Sequence, residues 1–216
     1  MRTEPGLQIG DERQGLGGQD LLGPLDGRTL HAHVHHLAAP SLDRPGWHPL
    51  TVASLDEFND EPADQVVQAL RVCNAAPRFA AEIAAGRPYR DADTLVTRAE
   101  EVTRALPWED VAIALAAHPR IGDRVAGSSA EAESSRREQS SMDDADAATR
   151  DALLEGNRAY EERFDHVFLI RASGRGPEEM LSELTRRLGN DEDAERAEVT
   201  EQLAQITAIR VRGLVS

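Results

Sequence analysis

Lysine is absent from this chain of 216 residues, and all 24 basic side chains are arginine. With alanine so abundant, that reads first as the codon bias of a GC-rich genome and only second as chemistry. Basic charge is scarce overall, because 24 arginines face 39 Asp and Glu for a formal net charge of −15. Phosphate contacts need a basic face, and no block of the chain is basic, so a nucleic-acid partner is excluded and an anionic membrane surface is disfavoured. Cysteine is nearly missing as well. With Cys73 alone, neither an internal disulfide framework nor a multi-cysteine zinc site can form. No apolar run approaches the roughly 20 residues that span a bilayer. The opening stretch MRTEPGLQIGDERQG also lacks the apolar core of a signal peptide. These absences describe a cytoplasmic, soluble protein. At roughly 150 residues per domain, the length suits one domain with or without a tail.

What is present divides the chain in two. Residues 1–50 hold much of the Gly and Pro and show no apolar repeat, which reads as a flexible leader. Its HAHVHH run, with His31, His33, His35 and His36, invites a metal-binding reading. No carboxylate or cysteine flanks the run to complete a ligand set, so a polar segment of a variable leader is the plainer account.

From Ser54 onward the pattern is helical. Ser54 and Glu57 form an S-x-x-E capping box, and a second helix starts near Ala63 with Val66, Val67, Leu70 and Cys73 on one side. Pro77 suits a first turn and Gly86 a helix end. Leu95, Ala99, Val102 and Leu106 make one helical face; Pro107 opens the next helix, with Trp108, Val111, Ala112 and Leu115 inward. Pro119 breaks the pattern and a loop follows. Helices resume at about 134–141 and again from about Asp143, the latter carrying Leu153, Leu154, Asn157, Tyr160 and Phe164. Val167 to Ile170 fits a buried strand or a helix start equally well. Met180, Leu181, Leu184 and Leu188 share one face before Gly189, and a last helix from Asp191 carries Val199, Leu203 and Ile206. The predicted fold is an all-α, single-domain bundle of about eight helices behind the leader.

Three features break the amphipathic pattern. His118 lies seven residues after Val111, on the apolar side of its helix where Pro119 ends it. It fits a satisfied core or capping residue, or an imidazole held at a pocket mouth to move a proton near neutral pH. Ser135, Glu138 and Gln139 occupy i, i+3 and i+4 of one turn. They put a hydroxyl, a carboxylate and an amide on one face, which is either a solvated surface or a polar site. Arg210 falls at about 20° on a wheel where Val199, Leu203 and Ile206 define the apolar stripe. There it is either a fork that clamps a carboxylate or urea-like oxygen, or a side chain snorkelling to water.

Taken in order, A-H-P-R-I-G-D at 117–123, S-R-R-E-Q at 135–139, and N-R-A-Y-E-E-R-F at 157–164 running into V-F-L-I-R-A-S-G at 167–174 resemble the 2-oxo-4-hydroxy-4-carboxy-5-ureidoimidazoline (OHCU) decarboxylases of urate breakdown. Weaker matches extend back through Leu55, Phe58, Asn59, Cys73 and the run Arg87-Pro88-Tyr89, and forward through Arg187-x-x-Asn190 to Arg210, so that the resemblance covers about 54–212. Ser135 follows His118 by seventeen positions, and the ordered set is more specific than any one motif.

The resemblance implies an all-helical homodimer that converts the small molecule OHCU to (S)-allantoin with loss of CO2, without a metal or organic cofactor. It implies His118 as proton donor with Pro119 shaping the pocket beside it. Ser135, Glu138 and Gln139 would bind substrate, with Glu138 at the reacting centre. The stretch Phe168, Leu169, Ile170, Arg171 and Ala172 would contact substrate through backbone groups, and Arg210 would meet it with its side chain. Two departures accompany the match. Asp165 and His166 stand where members usually have glycine after R-F, and the usual tryptophan after the cysteine is replaced by Phe79 or lost. The same residues also fit an enzyme for a related ureido or imidazole acid, or a helical interaction module without catalysis.

Overall fold

The computed structural model describes residues 54–121 and 145–216. The leader, its histidines, the expected helix at 134–141 and the residues Ser135, Glu138 and Gln139 lie outside the described residues. Within them the protein is all-α, with eight helices and no strand: α1 (Leu55–Asp60), α2 (Ala63–Cys73), α3 (Pro77–Ala85), α4 (Ala92–Arg104), α5 (Trp108–Ala116), α6 (Ala147–Phe164), α7 (Pro177–Arg187) and α8 (Glu192–Leu214).

Local chemistry sets the helix starts. Ser54 Oγ accepts from the Glu57 amide at 3.2 Å, and Asp91, Asp146 and Asp191 accept from the amides of Thr94, Thr149 and Ala194 at 2.7, 2.7 and 2.8 Å. Each satisfies one of the amides that a helix start leaves without a partner. Pro77 and Pro177 sit in the first turns of α3 and α7, where a missing N–H costs nothing.

Two hydrophobic clusters organise the bundle. The larger joins α1 to α5 with α8 through Phe58, Leu70, Phe79, Ile83, Leu95, Val102, Leu115, Leu203 and Ile206. Phe79 is fully buried there, so this aromatic position serves packing. The smaller gathers Ile121, Leu153, Tyr160, Phe168, Ile170, Ala172, Met180 and Leu184 between α6, α7 and the connecting segments. Truncating a buried leucine in either cluster to alanine costs about 2–5 kcal/mol. Gly156 lets α7 approach α6, since a Cβ there would meet Leu184 Cδ2 at 2.5 Å.

Three expectations are corrected. On α5 the inward residue is Ala114, not Ala112, because the stripe through Val111, Leu115 and His118 is centred one position away. Leu154 is 39% exposed, because α6 buries only the Leu153, Asn157 and Tyr160 line. Val167 to Ile170 is neither strand nor helix but an irregular segment, half-buried at Val167 and buried from Phe168 to Ile170.

Candidate active site

The inner face of α5 runs through Val111, Ala114 and Leu115 and continues to His118, which is 9% exposed. The helix ends at Ala117, and Pro119 has no amide to extend it. The imidazole folds back one turn, with Nδ1 2.8 Å from the Ala114 carbonyl oxygen. A carbonyl only accepts, so Nδ1 carries a hydrogen and any proton exchanged with a ligand passes through Nε2.

The turn after His118 is held from α6. Arg120 makes a two-pronged ion pair with Glu161 at 2.5 and 2.6 Å, and this hydrogen bonding lowers the Glu161 carboxyl below its ordinary value. Asn157 Nδ2 donates to the Ile121 carbonyl at 3.0 Å. Ile121 itself is buried in the cluster that contains Phe168, Ile170 and Ala172. The turn Pro119, Arg120, Ile121 is thereby packed with the second predicted segment, 168–172. Pro119 is half-buried within it.

The segment 168–172 follows α6. Asp165 ends that helix with φ 58° and ψ 26°, and its amide donates to the Glu161 carbonyl at 2.9 Å. This is the left-handed conformation that glycine favours, so the chain turns where a glycine would turn it. His166 then packs edge-on against Trp108 and Tyr160, with ring centroids 5.3 and 5.4 Å away. Phe168, Leu169, Ile170 and Ala172 are buried and Arg171 is half-buried. No strand ladder is available to their backbone groups, and side chains from two helices replace it. Arg187 donates to the Leu169 carbonyl at 2.7 Å, and Gln202 Oε1 accepts from the Arg171 amide at 2.9 Å.

Arg210 is half-buried on α8, flanked by buried Thr207 and Val211. Its helix shares the larger core with the inner face of α5. A shallow groove of about 410 Å³, lined by Arg104, Leu106, Trp108 and Arg196 among others, includes none of the predicted residues.

Sequence reasoning matched Arg187 and Asn190 as a motif but missed the buried charged group they build with Glu195 and Tyr160. Arg187 and Glu195 are 1% and 0% exposed and form an ion pair joined by the Tyr160 hydroxyl and Asn190. The signal was present: Arg187 continues the Met180 and Leu184 face of α7, and Glu195 precedes Val199 and Leu203 by one and two turns of α8. The wheel that singled out Arg210 places Glu195 on the same stripe.

The pattern of the OHCU decarboxylase family matches residues 59–212. The 2-oxo-4-hydroxy-4-carboxy-5-ureidoimidazoline decarboxylase of Amia calva is 30% identical over 149 residues, covering 67% of this chain and 83% of that protein. The uric acid degradation bifunctional protein of Arabidopsis thaliana is 29% identical over 150 residues, and the chain spans 46% of its length. Among solved structures, an OHCU decarboxylase crystallised in the presence of (S)-allantoin aligns with TM-score 0.57 at 26% identity, covering 65% of this chain and 92% of that one. An (S)-allantoin synthase aligns with TM-score 0.58 at 12% identity over 76% of this chain and 54% of its own, a likeness of fold. The chain therefore belongs to the OHCU decarboxylase family of carboxy-lyases.

Proposed function

We propose that the chain decarboxylates OHCU to (S)-allantoin in urate breakdown, with His118 as the proton donor. The observation that carries this reading is the buried imidazole just past the end of α5, in line with its inner face, with Nδ1 tied to the Ala114 carbonyl at 2.8 Å. That bond sets the ring's tautomer and its direction, leaving Nε2 to exchange the proton. The names of the Amia calva relative and of the structure determined with (S)-allantoin supply the substrate and product.

The chemistry calls for such an arrangement. OHCU carries its carboxylate on a carbon that also bears a hydroxyl. Breaking the bond to CO2 leaves an electron pair on that carbon, delocalised over the ring as an enediol or enolate. Protonation on one face then sets the stereocentre of allantoin, and a single enantiomer requires a proton delivered from a fixed direction. In this reading His118 delivers it and Pro119 walls the pocket beside it. Glu138 steers the hydroxyl proton, and Ser135 and Gln139 bind the ring. Backbone groups of Phe168, Leu169, Ile170, Arg171 and Ala172 line the substrate, and Arg210 takes an oxygen of the ureido or carboxylate group. Ser135, Glu138 and Gln139 enter on the ordered sequence match alone. The catalytic unit is 54–212, working as a cytoplasmic homodimer without metal or organic cofactor.

The test is to supply freshly generated OHCU and follow the optical activity of the allantoin formed against the spontaneous racemic background. An accelerated, single-handed product supports the reading. Racemic allantoin at the background rate overturns it.

A further inference from the structure

The irregular segment 168–172 has no ladder to hold it, yet in the functional reading above it must present backbone groups to a small substrate at defined positions. We infer that Arg187 is a positioning residue for that segment, acting through a buried charged network that sets where the Leu169 carbonyl and the Phe168 ring sit. The inference rests on that functional reading only for what the segment does.

The geometry divides the guanidinium between two tasks. Its Nε donates to Glu195 Oε1 at 2.9 Å, and one terminal nitrogen is shared between the same carboxylate and the Tyr160 hydroxyl. The other terminal nitrogen donates to the Leu169 carbonyl at 2.7 Å. The guanidinium carbon also lies 4.7 Å from the centroid of the Phe168 ring, which it covers as a cation over a π face. The anion is equally well held: Glu195 accepts from Tyr160 as well as from Arg187, and its second oxygen accepts from Asn190 at 2.8 Å. From the opposite helix, Gln202 holds the Arg171 amide at 2.9 Å. Two residues apart, one carbonyl and one amide of the same strip are each held by a side chain.

Stability alone does not account for this arrangement. Burying two charges costs desolvation that their attraction roughly offsets, and well-packed apolar residues of similar volume commonly do as well or better. An apolar pair cannot donate to Leu169 or rest a cation on Phe168. Nor can lysine replace the fork, since one ammonium has no rigid planar reach to Glu195, Tyr160 and Leu169 together.

The experiment compares full-length wild type with two variants, Arg187→Met combined with Glu195→Met, and Arg187→Lys. Steady-state kinetics on OHCU are read beside the far-UV spectrum and thermal midpoint. A merely structural role lowers the active fraction and so kcat, leaving KM where it was. The positioning role raises KM on the order of 10- to 100-fold in folded protein, with kcat within about threefold. Wild-type KM in a folded variant overturns the inference. Backbone amide exchange at 168–172 in Arg187→Lys needs no substrate and gives a second readout. Faster exchange confined to that strip supports the inference, and wild-type protection overturns it. A wild-type chain that does not turn over OHCU overturns the functional reading instead, and the exchange result still decides the role of Arg187.

Discussion

His118 Nδ1 donates to the carbonyl oxygen of Ala114, one helical turn back, at 2.8 Å. The bond uses a carbonyl in the last turn of α5, which also accepts from the Ala117 amide at 3.2 Å. It holds the ring against the helix that precedes it and turns Nε2 away from that carbonyl. Asparagine can keep a donor near Ala114 but has no proton to exchange near neutral pH. His118→Asn should therefore leave the helical spectrum and thermal midpoint close to wild type while lowering turnover of OHCU on the order of 10²- to 10⁴-fold. Wild-type rate and handedness in that variant would remove His118 from the reaction.

The clamp of Arg120 on Glu161 makes a second prediction, about acid. Hydrogen bonding from Arg120 lowers the Glu161 pKa from its ordinary 4.5, and Glu198 and Glu201 are lowered in the same way, first by Arg186 and Arg104. A group whose folded pKa is depressed adds stability above the unfolded value and loses it as pH falls through the folded one. The acid limb of unfolding should thus begin near pH 4.5 and steepen below it. Arg120 is half-exposed, so Glu161→Gln should cost only about 0.5 kcal/mol at neutral pH. Urea titrations should find that difference at neutral pH and find it shrinking as pH falls below 4.5. A difference unchanged across that range would mean that the ion pair contributes nothing.

Much of the fold was legible because it is local. Ser54, Pro77 and Pro119 mark helix ends by what their own side chains or missing amides do, and the stripe on α4 through Leu95, Ala99 and Val102 is a plain 3.6-residue period. The register of α5 was harder, because nearly every residue from Val111 to Ala117 is apolar and a one-residue shift of the inner face leaves the pattern unchanged. The segment 167–170 could not be assigned from its own residues at all. Partners distant in sequence hold its backbone and that of the residue after it, Arg187 at the Leu169 carbonyl and Gln202 at the Arg171 amide. Of the candidate site, the inward placement of His118 was legible from its own register and its neighbour Pro119. Arg187 was matched only as part of the Arg187-x-x-Asn190 run, and its pairing stayed hidden because a charged residue on an apolar stripe reads as a flaw until its counter-charge, eight residues away on the next helix, is set against it.

Asp165 offers a test of backbone cost. Its φ of 58° lies in the left-handed region, where a side chain with a Cβ is strained and glycine is not. Asp165→Gly should relieve that strain at some expense in unfolded-chain entropy, a net gain of about 0.5–1 kcal/mol. For a chain of this size the thermal midpoint should rise by about 2–4 °C per kcal/mol. Activity should not change, because the chain already follows the path of a glycine there. Asp165→Val should move the midpoint the other way, since β-branched residues tolerate this region least. A glycine variant less stable than wild type would show that the Asp165 side chain contributes more than its backbone costs.

The two tyrosines of the chain are both buried, and that gives a prediction at the alkaline end. Burial raises the pKa of Tyr89 and, far more, of Tyr160, above the ordinary 10.0, because a phenolate would lose its water without gaining equal solvation. For Tyr160 the hydrogen bond to Glu195 adds to the rise, and the Arg187 charge opposes it without reversing it. A group whose folded pKa is raised contributes its full stability below the unfolded value and loses it as pH climbs past that value. Native protein should therefore show little tyrosinate absorbance near pH 10, and the signal should appear together with the loss of helix at higher pH, as one transition. In Tyr160→Phe the alkaline limb should be shallower. The buried carboxylate would lose one donor at a cost of about 1.5–3 kcal/mol at neutral pH, read by urea denaturation. Free titration of both tyrosines near pH 10, with the helical spectrum intact, would contradict the burial of the Tyr160 hydroxyl between Arg187 and Glu195.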